Sequence, residues 1–234
     1  MADLLPQLQR GIVVTPNVDH LIHLQHNSDF YTAYDHANFI VCDSQIIRFT
    51  SHFLGHTICE TITGVDLLAA FCAYHKFNLE IRLFLLGAGK GVAQIAMQHI
   101  NAKTGREIVV GAYSPSFGFE KDDEECALIV NIINESAANV LVVGVGAPKQ
   151  EIWIDKYKSA MPDVNLFMGM GAVIDFEAES IPRAPVLLRN IGMEWLFRLV
   201  QEPRRLWKRY LIDDIPFFYY VLLQRLGWYR NPFE

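Results

Sequence analysis

The sequence predicts an α/β fold: a mainly parallel, Rossmann-like sheet with helices on both faces, followed by a helical C-terminal appendage. Short apolar runs alternate along the chain with longer helical patterns, which is typical of parallel sheets. Three of the apolar runs end in polar or glycine-rich loops, at residues 15–19, 87–89 and 144–151. Beyond Pro185 the pattern changes to two helical segments without a further strand. Because open α/β sheets bind ligands at the carboxyl ends of their strands, these loops are the first candidates for a functional site.

Each element is predicted from its periodicity and its flanking residues. Short runs of β-branched, Leu and Phe residues predict strands at 11–15, 38–42, 81–86, 107–111, 140–143 and 164–168. Apolar residues spaced by three and four predict helices at 18–33, 65–74, 92–101, 122–135 and 149–159. We expect an α/β core over residues 1–185 and a basic, aromatic, helical appendage over residues 186–234.

Composition limits the class of protein. About half of the 234 residues are apolar, enough for a buried core, and the four scattered cysteines predict buried, reduced thiols. The net charge of −6 is unevenly distributed, because residues 183–234 carry nine Lys or Arg and five Asp or Glu, which leaves −10 on the remainder. The body is therefore expected to repel nucleic acid, whereas the tail would be attracted to an anionic surface.

The first glycine-rich loop favours contact with a phosphate. Gly87 and Gly89 allow a sharp turn after a buried strand, and the next helix N-terminus would face the ligand. A dinucleotide fingerprint is incomplete, since Val92 replaces its third glycine and Gly111 stands where an acidic residue is needed. A tight turn that packs the helix on the sheet is the alternative.

The second glycine-rich loop is more specific. Gly144 and Gly146 follow an apolar strand, and Lys149 places a cation near a helix N-terminus. Gln150 can hydrogen-bond a base or a sugar, so nucleotide contact is favoured. The alternative is a capping arrangement in which Glu151 interacts with the helix dipole.

Asp43 and Thr15 are the catalytic candidates. A carboxylate directly after a buried strand is costly unless it is solvated or used, and Asp43 could take a proton from an acceptor hydroxyl. Thr15 and Asn17 on the neighbouring loop could orient a sugar. In the alternative, Asp43 caps the next helix and Asn17 holds a turn.

No metal or cofactor is expected. His20, His23 and His26 are interpreted as a solvated helix face, because no cysteine or carboxylate set completes a metal site. The acidic run 122–125 is typical of a first helical turn, and no Asp-x-Asp pair follows a strand.

Motifs along nearly the whole chain resemble one enzyme family. They are Thr15-Pro16-Asn17, Asp43, Gly64-Val65-Asp66, residues 144–151, Gly169-Met170-Gly171-Ala172, Asp175-Phe176, Arg183-Ala184-Pro185, Glu194-Trp195, Arg198-Leu199 and Glu202-Pro203-Arg204-Arg205. Together they resemble the WecG/TagA/CpsF glycosyltransferases. The resemblance implies a bacterial, inverting, metal-independent enzyme of the hexosyl- or N-acetylhexosaminyltransferase type. Such an enzyme transfers a sugar from a UDP-sugar to a polyprenyl-diphosphate-linked saccharide in cell-surface polysaccharide biosynthesis.

The resemblance also implies functions for particular residues. Asp43 would be the general base, with Thr15, Asn17 and Gln150 in the sugar pocket. UDP would lie near the residues Gly87, Gly89, Tyr113, Phe117, Gly144, Gly146, Lys149 and Asp175. The basic tail would lie beside the diphosphate through Arg198, Arg205, Lys208 and Arg209, whose positive charge would offset that of the leaving group.

The chain departs from the family pattern at two positions. Ser44 follows Asp43 where a glycine is usual, and Thr61 stands in place of an arginine. Arg48 is the candidate to replace that cation. The chain also starts close to its first strand, so an open sheet edge could support a homo-oligomer.

The tail predicts a peripheral membrane protein on the inner face of the cell membrane. Residues 215–223 are apolar and aromatic, but nine helical residues reach only about 14 Å, against a hydrocarbon core of about 30 Å. Flanking Trp228 and Arg230 suit a helix that lies in the interface. The alternative is a tail helix packed on the body or on another subunit. A cytoplasmic protein is expected, since Asp3 stands where a signal peptide has basic residues.

Two other functions stay open. A nucleotide-sugar-binding protein without catalysis is compatible with the changes at Ser44 and Thr61. An NAD-type oxidoreductase shares the parallel-sheet architecture but is opposed by Val92 and Gly111.

Overall fold

The computed structural model of the chain describes residues 1–190 and 193–233. It contains a six-stranded parallel sheet in the order β2-β1-β6-β5-β3-β4. The strands are β1 (Gly11–Val14), β2 (Phe39–Ile40), β3 (Leu83–Gly87), β4 (Val109–Tyr113), β5 (Val140–Gly144) and β6 (Leu166–Gly169). The predicted α/β, Rossmann-like fold is confirmed, and so is the helical C-terminal region.

Helices connect the strands and form the C-terminal region. They are α1 (Val18–His26), α2 (Ser28–Asp35), α3 (Gln45–Leu54), α4 (Gly64–Tyr74), α5 (Val92–Thr104), α6 (Asp123–Glu135), α7 (Lys149–Tyr157), α8 (Val173–Glu177), α9 (Val186–Asn190), α10 (Glu194–Gln201), α11 (Pro203–Lys208) and α12 (Pro216–Arg225). A π-helical segment covers Arg209–Asp213. Short 3-10 turns lie at Leu5–Gln7, Phe119–Lys121 and Lys158–Ala160.

Several predicted elements need correction. The helix predicted at 18–33 is two helices, because the Asn27 side chain accepts a hydrogen bond from the Phe30 backbone at 2.9 Å and starts a new helix. The strand predicted at 38–42 covers only Phe39–Ile40, and the prediction lacked α3. The tail has four helices and a π-helical segment among its described residues, where two helical segments were predicted.

Three smaller expectations were also wrong. His20 is buried against Phe30 with ring centroids 5.6 Å apart, so the three histidines do not form a solvated face. Cys72 and Cys126 are buried, but Cys59 is exposed. The strand predicted at 107–111 instead covers Val109–Tyr113. The edge strands of the sheet are β2 and β4, and the use of an open edge in a homo-oligomer stays a prediction.

The chain divides into two compact units. The first comprises Met1–Val14, Ala33–Ile40 and Gly64–Pro182, and includes the whole sheet. Its core is formed by β3 and β5, which are buried along their full length, and by the apolar face of α5 with Ala93, Ala96 and Ile100. Burial of this contiguous apolar surface is the main stabilising contribution to this unit.

The second unit combines Thr15–Thr32 and Val41–Thr63 with Arg183–Glu234. The appendage predicted at residues 186–234 thus belongs to the same unit as α1 and α3. Phe217 and Val221 on α12 pack with Val18 of α1, and partly buried Ile46 and Leu54 of α3 complete this cluster. One face of α12 is therefore a core element of the second unit.

No helix within residues 1–190 and 193–233 is long and apolar enough to cross a membrane.

Candidate active site

The predicted site residues are distributed over both units. Those predicted to bind the nucleotide lie in the first unit, apart from Asn17, which lies in the second. The second unit also contains the predicted catalytic pair Thr15 and Asp43 and the basic residues of the tail.

In the first unit, the loops after β3 and β5 are in backbone contact. Gly87 has φ +142°, and a Cβ there would collide with the carbonyl of Gly144. The backbone N–H of Ala88 donates to the same carbonyl at 3.3 Å. Gly87 is therefore required for this close approach of the two loops, and nucleotide binding by Gly87 and Gly144 stays a prediction.

Gln150 joins the loops after β5 and β6. Its Oε1 accepts hydrogen bonds from the backbone N–H of Gly146 at 3.2 Å and of Gly171 at 3.0 Å. Its Nε2 donates to Oε1 of Glu151 at 2.7 Å, and the Gln150 residue is only 1% exposed. Glu151 is also buried and lies in the first turn of α7, so the alternative in which it interacts with the helix dipole stays open. The structure gives Gln150 a positioning function, whereas its predicted contact with the sugar stays a prediction.

Lys149 and Phe117 form a second group in the first unit. The Lys149 ammonium lies 5.3 Å from the ring centroid of Phe117, which is fully exposed. Lys149 also starts α7, whose N-terminus carries the positive end of the helix dipole. This arrangement suits an anion, such as a phosphate, beside a planar group.

Tyr113 and Asp175 border the same unit's loops. Tyr113 ends β4, and the hydroxyl of the following Ser114 donates to the carbonyl of Gly89 at 2.8 Å. Asp175 lies on α8, and its backbone carbonyl accepts from the hydroxyl of Ser180 at 3.0 Å. A hydrogen bond thus links the loops after β3 and β4 directly. The functions predicted for Tyr113 and Asp175 stay predictions.

In the second unit, Asp43 lies beside the Thr15-Pro16-Asn17 loop. Its backbone N–H donates to the carbonyl of Pro16 at 3.0 Å. Thr15 is buried, and Asp43 is partly exposed. The N-cap of α3 is Ser44, whose hydroxyl accepts from the Ile47 backbone at 3.4 Å. The alternative in which Asp43 caps this helix is therefore wrong.

Asn17 is the N-cap of α1 and has a second, distant partner. Its Oδ1 accepts from the His20 backbone at 3.4 Å and from Nη2 of Arg209 at 3.3 Å. Nη2 of Arg209 also lies 3.2 Å from Oδ2 of Asp19. The sequence pattern missed Asp19, although an acidic residue in a first helical turn beside Asn17 was a usable signal.

Arg48 is connected to Thr61 through Gln45. The Gln45 Nε2 donates to the Thr61 hydroxyl at 2.6 Å, and Nη1 of Arg48 donates to Oε1 of Gln45 at 3.5 Å. The Gln45 side chain thus connects the Arg48 guanidinium to Thr61, the position at which the sequence analysis predicted a missing cation.

The other basic candidates lie on the tail helices. Arg198 is on α10 and is partly exposed, and Lys208 is exposed at the end of α11. Arg205 belongs to α11, but its side chain lies outside the part of the chain that is described. Across the described residues, no group of three or more His, Cys, Asp or Glu side chains is arranged to hold a metal ion.

Burial shifts the pKa values of His20 and Asp214, two residues of the second unit. It lowers the pKa of His20 to about 3, helped by the charges of Arg209 and His23, so His20 is neutral at physiological pH. Burial raises the pKa of Asp214 to about 6; the negative charges of Asp19 and Asp213 also raise it, while Arg209 opposes them. Ionised Asp214 is therefore disfavoured in the folded protein.

We expect Asp214→Asn to stabilise the protein at pH 7.5 and to leave stability unchanged at pH 4. Raising the folded pKa from 3.8 to about 6 makes the native state lose stability as pH rises through this range. The full effect would be about 3 kcal/mol, reduced to about 1 to 2 kcal/mol because the carboxyl is partly solvated. Urea unfolding at both pH values measures this effect, with Asp163→Asn at an exposed carboxylate of the first unit as control. An equal gain at both pH values would contradict the assignment.

The chain was compared with models of known protein families. The model described as the glycosyl transferase WecG/TagA/CpsF family matches residues 1–231, which is nearly the whole chain of 234 residues. This match agrees with the parallel sheet and with the glycine-rich loops that follow its strands. The chain belongs to the WecG/TagA/CpsF glycosyltransferase family.

Proposed function

We propose that the protein is an inverting, metal-independent glycosyltransferase that transfers a sugar from a UDP-sugar to a polyprenyl-diphosphate-linked saccharide. Its place would be in bacterial cell-surface polysaccharide biosynthesis. The observation that carries this proposal is the position of Asp43. Its backbone N–H donates to the carbonyl of Pro16, the residue between Thr15 and Asn17 in the chain, and Asp43 does not cap α3. Family membership supports the transferase reaction itself.

In the proposed mechanism, Asp43 takes the proton of the acceptor hydroxyl as its oxygen attacks the anomeric carbon. The new glycosidic bond forms while the bond from the anomeric carbon to the UDP oxygen breaks, and the electron pair leaves with UDP. Attack opposite the leaving group inverts the configuration. Thr15 and Asn17 would orient the sugar through their hydroxyl and amide groups.

The first unit would bind the nucleotide. The Lys149 ammonium beside the α7 N-terminus suits the diphosphate, and the exposed ring of Phe117 suits stacking on the uracil. Gly87, Gly144 and Gly146 allow the backbone to approach a ligand closely. Gln150 would keep the loops after β5 and β6 in register for this contact.

Positive charge from the protein would stabilise the UDP leaving group. Lys149, Arg198, Lys208 and Arg209 are the described candidates, and guanidinium groups bind phosphate oxygens well. We also propose that Arg48 replaces the cation missing at Thr61, since Gln45 links the two side chains. The transferred group would be a hexose or an N-acetylhexosamine.

A transfer assay with a panel of UDP-sugars and a polyprenyl-diphosphate-linked acceptor tests this function. We expect transfer of one sugar with inverted configuration, and equal rates in buffer with Mg²⁺ and after exhaustive chelation. Activity that vanishes in chelator and returns with Mg²⁺ or Mn²⁺ would contradict the metal-independent mechanism. UDP-sugar binding without turnover on any acceptor would identify the non-catalytic alternative.

We further propose that α12 places the protein on the cytoplasmic face of the membrane. While Phe217 and Val221 are buried in the second unit, Phe218, Tyr219 and Leu222 on the other side of α12 are about half exposed. Aromatic and aliphatic side chains beside basic residues favour an interfacial position, with the positive tail attracted to anionic lipids.

Replacing Phe218, Tyr219 and Leu222 together by serine should reduce co-sedimentation with anionic liposomes by about tenfold or more. The physical reason is the loss of three apolar side chains that would enter the interface. The matched control is Phe77→Ser with Leu79→Ser, two highly exposed apolar residues of the first unit. Equal sedimentation of the wild type and the triple variant, at low and at high salt, would exclude this face of α12 as the anchor.

A further inference from the structure

Asn17 presents its side-chain amide in one defined orientation. Its Oδ1 accepts two hydrogen bonds, from the His20 backbone at 3.4 Å and from Arg209 at 3.3 Å. Its Nδ2 donates to none of the described residues, and the side chain is partly exposed. The two amide N–H donors are therefore available to an oxygen atom of a ligand.

The guanidinium of Arg209 contacts two side chains of the protein through Nη2. Nη2 of Arg209 is shared between Oδ1 of Asn17 and Oδ2 of Asp19, which lies 3.2 Å away. Asp214 is close enough for the Arg209 charge to influence its carboxyl group. A phosphate that bound Nη2 of Arg209 would have to compete with Asp19 for this nitrogen, and the predicted contact of Arg209 with the diphosphate stays a prediction.

Arg209 also lies in an unusual backbone segment. It is the first residue of the π-helical segment Arg209–Asp213, a rare backbone form that is frequent at functional sites. This segment contacts α1, the helix that Asn17 caps. The guanidinium thus joins the C-terminal tail to the start of α1 within the second unit.

We propose that Arg209 is a positioning residue that holds the Asn17 amide with its carbonyl oxygen toward the protein and its NH₂ group toward a sugar oxygen. The inference rests on the proposed function, in which Asn17 contacts the transferred sugar. A flipped amide would place its NH₂ group against two other donors, the His20 N–H and the guanidinium. Without Arg209, only the 3.4 Å cap bond would oppose this flip.

Kinetics of single and double variants test the assignment. Arg209→Gln should lower kcat/KM for the UDP-sugar by about tenfold without raising the KM of the acceptor, and Arg209→Lys should retain part of the activity. The double variant with Asn17→Ala should be no slower than Asn17→Ala alone. The control is Arg82→Gln, at an exposed arginine of the first unit, which should behave as wild type. Independent effects of the two substitutions would instead mean direct contact of Arg209 with the UDP diphosphate, and a raised acceptor KM would mean contact with the acceptor diphosphate.

A second measurement does not depend on turnover. The side-chain amide resonances of Asn17, assigned by their loss in Asn17→Asp, should shift in Arg209→Gln and stay unchanged in Arg82→Gln. Unchanged Asn17 resonances in a folded Arg209→Gln protein would overturn the inference. If the wild type transferred no sugar, the proposed function would fail, and the resonances would still decide whether Arg209 orients Asn17.

Discussion

Asp43→Asn should retain UDP binding and lose on the order of 10²- to 10⁴-fold in turnover, the usual contribution of a positioned general base. The substitution keeps the shape of the side chain and the backbone bond to Pro16, and removes only the proton acceptor. The measurement is kcat for transfer to a lipid-linked acceptor, together with UDP affinity by calorimetry.

The adjacent residue provides a matched control for local damage. Ser44 caps α3 through its hydroxyl, so Ser44→Ala should cost about 1 kcal/mol of stability and leave turnover largely intact. If Asp43→Asn turned over at nearly the wild-type rate, another group would have to accept the proton. A fall in activity equal to that of Ser44→Ala would indicate a structural effect on α3 rather than base catalysis.

The sheet and its loops were predictable because their signals are local. The β3 and β5 strands are uninterrupted apolar runs that end at Gly87 and Gly144, and both elements are close to their predicted bounds. The sequence also indicated that these two glycines are important. It attributed their importance to ligand binding, which stays a prediction. The structure shows in addition that Gly144 approaches the backbone of Gly171, because a Cβ on Gly144 would lie 2.6 Å from the Gly171 carbonyl oxygen.

The second unit was not predictable in the same way. Its core joins Val18 to Phe217 and Val221, and no periodicity relates segments so far apart in sequence. The same holds for the contacts of Arg209 with Asn17 and Asp19, which are determined by tertiary packing. The family resemblance implied a position beside the diphosphate for Arg209, and this position stays a prediction. Likewise, the burial of His20 depends on Phe30 and on the end of α1 at His26, which the helical pattern at 18–33 concealed.

Gln150→Ala should destabilise the protein by about 2 to 4 kcal/mol and weaken UDP binding at the same time. The substitution removes the acceptor of the Gly146 and Gly171 N–H groups and opens a cavity beside Glu151. Without this acceptor, the loops after β5 and β6 lose a shared support, so the nucleotide site they would form becomes less ordered. Urea unfolding and calorimetry with UDP measure the two effects.

Gln150→Glu separates the positioning function from a direct sugar contact. The new carboxylate would still accept from Gly146 and Gly171, but it would face Oε1 of the buried Glu151, where the amide now donates at 2.7 Å. Two adjacent buried carboxylates cannot both ionise easily, so the loss of stability should be large at pH 7.5 and should shrink as the pH falls and one of them is protonated. A residue that only contacts the sugar would leave the unfolding free energy of both variants at the wild-type value and would raise only the KM of the donor. If the buried hydrogen-bond network positions the loops, Gln150→Ala should lose stability and UDP affinity together. The stability of Gln150→Glu should recover in acid.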